Sequence, residues 1–274
     1  MEKKFSVIKD NIRIAHNAVS YSEAVYNGQM EEIISVLKGK SLTYKEAVKL
    51  YESVFSLQLI SSSFLRFCIA LDSANILRGE KAVAEPLGGN AVYLSNVYSL
   101  AAIEKLDKEI CKFKWEAETD FTSACEAVYS GRCKYALIPL YNTKDGLIVS
   151  LYRLIQKYDL RIVSSVRVVM NDGITETEFF LLTAQDRQIF FGNNHLMLSI
   201  NHEYDSTLSD ILSSMVNCGA VLKYINSLPV EYTDERSESV AVFDITDISL
   251  TALKCFLSPL ISNYTVVGIY SQVK

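Results

Sequence analysis

Apolar residues recur at two different periods along this chain, and the change of period divides it. Over the first eighty residues the spacing is helical. Phe5, Ile8, Ile12, Ala15 and Val19 return at three- and four-residue steps and form one apolar stripe. A second, short helix is predicted over Met30–Leu37, stopped by Gly39. A third opens on Thr43-Tyr44-Lys45-Glu46, a capping box in which each side chain can satisfy the other residue's free N–H. After it Val48, Leu50, Tyr51, Val54, Phe55, Leu57, Leu59, Ile60, Phe64 and Leu65 are apolar almost all round. That pattern predicts a buried helix, in a bundle or at a dimer interface.

Gly79 to Gly89, with Pro86 and Gly88 between them, marks a boundary, and beyond it helix and strand alternate. Val97–Leu106 reads as a helix, and Cys111, Phe113 and Trp115 alternate with lysines as a half-buried strand does. Asp120 can cap a helix that ends at Gly131. Tyr135–Ile138 is a short apolar strand that Pro139 is expected to end, because proline has no N–H for the ladder. Asn142, Thr143, Asp145 and Gly146 follow as a polar loop, and Leu147, Ile148, Leu151, Leu154 and Ile155 start a helix. Strand, polar turn, helix is where α/β proteins hold small anions on free backbone N–H groups; an ordinary connection reads the same way. Leu160–Val163 and Val166–Met170 are strand candidates, Asn171-Asp172-Gly173 is a hairpin turn, and Glu178–Thr183 returns as a strand. The remaining residues read strand (Leu196–Ile200), helix (Leu208–Val216), strands (Leu222–Ile225, Val240–Ile245), helix (Ile248–Leu257), strand (Thr265–Tyr270). That order is β-α-β-β-α-β, a ferredoxin-like arrangement.

Composition changes the picture only by exclusion. The chain has 274 residues, a net charge of −5 and no basic run, so a phosphate-reading nucleic-acid surface is not expected. No apolar run has the length of a membrane span, and Met1-Glu2-Lys3-Lys4-Phe5 lacks a signal-peptide core. The six cysteines are scattered without a C-x-x-C pair, which fits free thiols in a reducing cytoplasm. His16, His195 and His202 make no metal-ligand spacing, and neither a metal nor a cofactor is expected.

Three stretches resemble the prephenate dehydratase family, whose signatures are a G-P-x-G-[ST]-[YF]-[ST] turn, a P-I-E-N-S-x-x-G loop and a late T-R-F. They are Gly88-Gly89-Asn90-Ala91-Val92-Tyr93-Leu94, Pro139-Leu140-Tyr141-Asn142-Thr143-Lys144-Asp145-Gly146 and Thr177-Glu178-Phe179. The last third resembles the ACT domain that follows in that family and binds phenylalanine at a dimer interface through G-A-L and E-S-R-P motifs. Here those positions read Ser206-Thr207-Leu208 and Asn226-Ser227-Leu228-Pro229, and the family's closing L-G-S-Y corresponds to Val267-Gly268-Ile269-Tyr270. Gln29–Gly39 and Leu42–Phe64 are similar to the second and third helices of an all-helical chorismate mutase. The resemblance implies an α+β multidomain chain. Residues 1–80 would be a reduced chorismate-mutase-like helical bundle, 81–190 a truncated α/β dehydratase-like lobe, and 191–274 a ferredoxin-like βαββαβ ACT domain. It further implies Thr177, Asn142 and Thr143 as catalytic residues, and Tyr141, Gly146, Gly89 and Asn90 as substrate-binding residues. Ser206, Thr207, Leu208, Asn226, Ser227, Leu228 and Pro229 would bind an effector. A homodimer through the N-terminal helices and the ACT domain is expected, with an aromatic amino acid or prephenate-like ligand.

The departures fall on polar functional positions. A site for two carboxylates needs Arg or Lys, yet Glu178 replaces the Arg of T-R-F, and Tyr141 replaces the Glu of P-I-E-N-S. In the mutase-like segment Lys9 and Arg13 are the cations on offer, and Ser61–Ser63 stand where a Gln would be. Arg13 reads better as a solvated charge on an amphipathic helix than as a site cation. Only seven residues separate Val169 from Thr177, enough for a hairpin and too few for a second lobe. Two readings follow. In one the chain is a relative with impaired or lost catalysis, acting as a dimeric scaffold or metabolite sensor. In the other it is an active prephenate dehydratase with ACT regulation, where a dimer mate completes the wall and Arg161 or Arg167 replaces the lost cation.

Overall fold

The computed structural model describes residues 23–55, 62–78, 87–184, 194–202, 205–228, 237–258 and 264–273. The helix expected over Phe5–Val19, with Lys9 and Arg13, lies outside them, as do Pro86 and Pro229. The described residues gather into two units that cut across the sequence-based segments.

The first unit draws on Met1–Lys81, His202–Val221 and Asp247–Asn263. It holds α1 (Glu23–Leu37), α2 (Tyr44–Phe55) and α3 (Ser62–Ser73). Of the near-continuous apolar stretch after Thr43, residues 56–61 lie outside the described residues, and those on either side are helical. The capping box closes as its residue types dictate: Thr43 N–H donates to Glu46 Oε2 at 2.8 Å and Glu46 N–H to Thr43 Oγ1 at 3.4 Å. Tyr51 packs its ring against Phe55, Phe64 and Phe67. Two helices from late in the chain, α7 (Asp205–Asn217) and α8 (Leu250–Leu257), pack on α3, with Phe64 against Phe256 and Ser249 hydrogen-bonded to Asp72.

The second unit is built on one sheet. Its strands are β1 (Asn90–Leu94), β2 (Lys114–Glu118), β3 (Tyr135–Asn142), β4 (Gly146–Leu147), β5 (Leu160–Val169), β6 (Glu176–Ala184), β7 (His195–His202), β8 (Val221–Leu228), β9 (Ser237–Asp244) and β10 (Tyr264–Val273). Among the described residues they run in the order β2-β1-β3-β6-β5-β10-β7-β9-β8, with β4 off this path against β3. β2, β1 and β3 are parallel, and α4 (Val97–Glu109), α5 (Phe121–Tyr129) and α6 (Val149–Lys157) connect or cover the strands. Asn96 and Asp120 cap α4 and α5 by accepting from backbone N–H groups of the first turn.

Three local expectations change. Pro139 does not end its strand, which continues to Asn142. The pairing of β3 with β6 shifts register between Pro139 and Tyr141, so the missing proline donor falls at an irregularity. Leu160–Val169 is one strand, with a register shift between Ile162 and Ser164, instead of two. The helix expected from Leu147 starts at Val149, because Gly146 and Leu147 pair back onto β3. β5 and β6 are joined by the Asp172 turn, and the six-residue connection is the hairpin its length dictates.

The sheet curves back on itself. Tyr141 on β3 and Tyr224 on β8 are far apart in strand order, yet their rings stack with centroids 4.1 Å apart and planes 16° from parallel. Val92, Ile138, Tyr152, Ile155, Phe180, Met197, Leu228, Val242 and Tyr270 fill one core, so β1 and β9 contribute to the same interior. β10 enters the middle of the sheet, parallel to β5 and antiparallel to β7. The close approach needs Gly268: a Cβ there would lie 2.6 Å from the Ile162 carbonyl oxygen.

Candidate functional site

Strand alternation sends Ser165, Arg167 and Glu178 to one face of the β5–β6 pair, where Arg167 and Glu178 are direct cross-strand partners. Glu178 is 2% exposed. A carboxylate that deep needs donors on both oxygens. Ser165 Oγ donates to Oε1 at 2.6 Å and Gln272 Nε2 to Oε1 at 2.8 Å; Arg167 Nε donates to Oε2 at 3.2 Å. Arg167 also reaches Glu176, at 3.8 Å, and keeps its outer edge in solvent. Tyr224 and Tyr270 feel the Glu178 and Arg167 charges; burial, the largest effect, pushes both hydroxyls well above the ordinary phenol value. Neither hydroxyl has a hydrogen-bond partner. The position that matches the Arg of T-R-F is thus a carboxylate held by Ser165, Gln272 and Arg167.

The three residues expected to be catalytic come together at the end of the β3–β6 pair. Asn142 is the cross-strand partner of Thr177, and Thr143 N–H donates to the Glu176 carbonyl. Each side chain, though, has a local task. Asn142 Oδ1 accepts from Lys144 N and Asp145 N at 2.9 and 2.6 Å, which folds the turn. Thr143 Oγ1 accepts from Glu176 N at 3.0 Å on an exposed edge. Thr177 is buried, with its hydroxyl 3.2 Å from Met170 Sδ. Beside them Asp172 is held down to about 2, chiefly by the Thr175 hydroxyl and then by turn N–H groups.

The residues expected to bind substrate separate into two places. Tyr141 and Gly146 lie against β8: Tyr141 stacks on Tyr224, and a Cβ on Gly146, whose φ is +78°, would lie 2.9 Å from Asn226 Oδ1. Gly89 and Asn90 stand at the start of β1, where the Asn90 carbonyl accepts from Lys134 N ahead of β3. With β1 and β3 parallel, that is the opposite end of the strands from Asn142, roughly 25 Å away for eight residues of strand. The turn that follows β1 is instead Ser95-Asn96-Val97. Of the expected effector residues, Ser206, Thr207 and the half-buried Leu208 begin α7 in the first unit, and no side-chain placement is described for Ser206 or Thr207. Asn226, Ser227 and Leu228 end β8 in the second unit. Asn226 Oδ1 accepts from Leu147 N at 3.4 Å, Ser227 Oγ is 3.4 Å from Ser239 Oγ, and Leu228 is in the core. Strand periodicity could have placed Ser165 and Arg167 beside Glu178; nothing local points to Gln272, Tyr224 or Tyr270.

Among the described residues no group of three or more His, Cys, Asp or Glu side chains is arranged to hold a metal, and no helix is long and apolar enough to cross a membrane.

The family model for prephenate dehydratase matches residues 95–179. The match starts after β1 and ends with the Thr177-Glu178-Phe179 stretch, so Gly88–Leu94 falls outside it. The fold is similar to that of prephenate dehydratase from Streptococcus mutans, with a TM-score of 0.55 and 16% identity over 68% of this chain and 99% of that one. It is also similar to prephenate dehydratase from Arthrobacter aurescens in complex with L-Phe, with a TM-score of 0.52 and 13% identity over 67% and 90% of the two chains. A further structure, GqqA, described as a novel type of quorum-quenching acylase, is similar with a TM-score of 0.52 and 12% identity over 66% of this chain and 94% of its own. No curated protein matches the sequence.

Proposed function

We propose that this chain is a divergent prephenate-dehydratase-like protein that has lost dehydration and acts as a dimeric scaffold or metabolite sensor. The observation that carries the reading is Glu178. Prephenate is a dianion, and a site for it needs unpaired cations in a closed chamber. Here the substituted position is a buried carboxylate, its neighbouring cation Arg167 is committed to it, and the β5–β6 connection is a tight hairpin that adds no facing wall. Residues 1–80 serve as a reduced mutase-like helical segment, 81–190 as a half dehydratase lobe and 191–274 as an ACT-like segment. The β-α-β-β-α-β order of the last segment, and the aromatic amino acid bound by the Arthrobacter neighbour, support an aromatic amino acid as ligand.

The test is direct. Purified protein incubated with prephenate should release no phenylpyruvate above the uncatalysed rate. Glu178→Arg should also be inactive, and should melt earlier, since it sets a second guanidinium beside Arg167 and leaves Ser165 and Gln272 without their acceptor. Sedimentation should show a dimer. Turnover by the natural chain, abolished in Thr177→Ala without a change in melting, would replace this reading with that of a working dehydratase.

A further inference from the structure

Beneath the C-terminal end of α6 the second unit has a cleft of about 220 Å³ whose lining includes none of Asn142, Thr143, Thr177 and Glu178. Drug-sized ligands occupy pockets from about 300 Å³ upward, so this one suits a metabolite of amino-acid size. Its apolar part is Ile155 and Val267 with the ring of Tyr152; its polar part includes Arg161, Asp159 and Ser199. Arg161 lies six residues before Arg167 on β5, about 20 Å along an extended strand, so the cleft is remote from Glu178.

Among the described residues, charges of both signs line the cleft. Arg161 Nη2 pairs with Asp159 Oδ1 at 2.8 Å. Behind Ser199, Glu238 accepts from Ser199 Oγ at 2.6 Å, from Arg153 at 2.6 Å and from Gln156. A dianion or a simple cation would meet like charge in such a wall, whereas a zwitterion can present each end to its opposite and join the Arg161–Asp159 pair as a four-centre network. The Tyr152 hydroxyl is enclosed beside Ser199, so the lining carries neutral polar groups as well as charges.

We propose that this cleft binds a free α-amino acid with an apolar side chain. The carboxylate meets Arg161, the ammonium meets Asp159, and the side chain lies over Ile155 and Val267. The site is separate from the Ser206–Leu208 and Asn226–Pro229 segments, and the proposal does not depend on the loss of dehydration. The experiment is thermal melting and calorimetry of the full chain with L-phenylalanine and L-leucine. Beside them run phenylpyruvate, which lacks the ammonium, phenethylamine, which lacks the carboxylate, and prephenate. At least one amino acid should raise the midpoint, and the three other compounds should not. Arg161→Gln should weaken the amino acid about tenfold. Thr265→Tyr, which places a strand-compatible ring at the exposed mouth, should abolish binding while melting like the natural chain. The proposal fails if neither amino acid binds. It also fails if phenylpyruvate or phenethylamine binds as well as L-phenylalanine, or if Thr265→Tyr leaves binding unchanged.

Discussion

A carboxylate enclosed by protein persists only where donors meet its oxygens, and Glu178 meets those of Ser165, Gln272 and Arg167. Removing it strands two of those donors, while Arg167, 40% exposed at its side chain, can turn to solvent. Glu178→Ala should therefore destabilise by about 3 kcal/mol, and Glu178→Gln, which keeps an acceptor, by about 1 kcal/mol, read from urea midpoints. Sequence reasoning identified Glu178 as the residue out of place. It could not see the compensation, because Gln272 is ninety-four positions away and its approach depends on β10 entering beside β5. His195 is a second buried titratable group, stacked on Tyr270. Burial lowers its pKa from 6.5, against the opposing pull of Asp244 and Glu178. The folded protein thus holds the neutral ring, and the unfolded chain takes up the proton first as pH drops. Its contribution is present above about 6.5 and is lost as pH falls through the lowered folded value. The melting midpoint should decline between pH 7 and 5, and His195→Phe, which keeps the stacked ring, should flatten that decline.

At the scale of elements, most strands and helices were legible from period alone, since a half-buried strand and an amphipathic helix need nothing but their own alternation. Ends and irregularities were not. Pro139 reads locally as a stop, but the shift in pairing with β6 removes the need for its missing N–H. Gly146 reads as a substrate-facing loop residue, yet its positive φ and the nearby Asn226 make it a point where β4 and β8 meet. Gly268 has no unusual φ; what requires it is the backbone of Ile162, which would lie 2.6 Å from a Cβ. Backbone cannot step aside as a side chain tip can. Gly268→Ala should therefore cost about 1–3 kcal/mol, with thermal denaturation as the measure, and a neutral result would mean that β10 does not lie against β5.

For the second unit as a whole, one sheet runs from the dehydratase-like strands into those of the last segment. The sequence suggested separate domains here because its helix and strand order restarts after residue 190, and order along a chain says nothing about which strands share hydrogen bonds. A chain truncated after Ala184 would leave β5 without β10 and would bare Phe180 and Ile162 of the common core. Such a fragment should be insoluble or show no cooperative melting, and a soluble, cooperatively melting fragment would show that the lobe is self-sufficient. The pairing also has a consequence for biosynthesis. β10 lies between β5 and β7 but is translated about sixty residues after the second of them. On the ribosome the growing polypeptide must therefore wait with a gap at its centre, and a chaperone that shields open strand edges should have its longest engagement with nascent chains that already display β5.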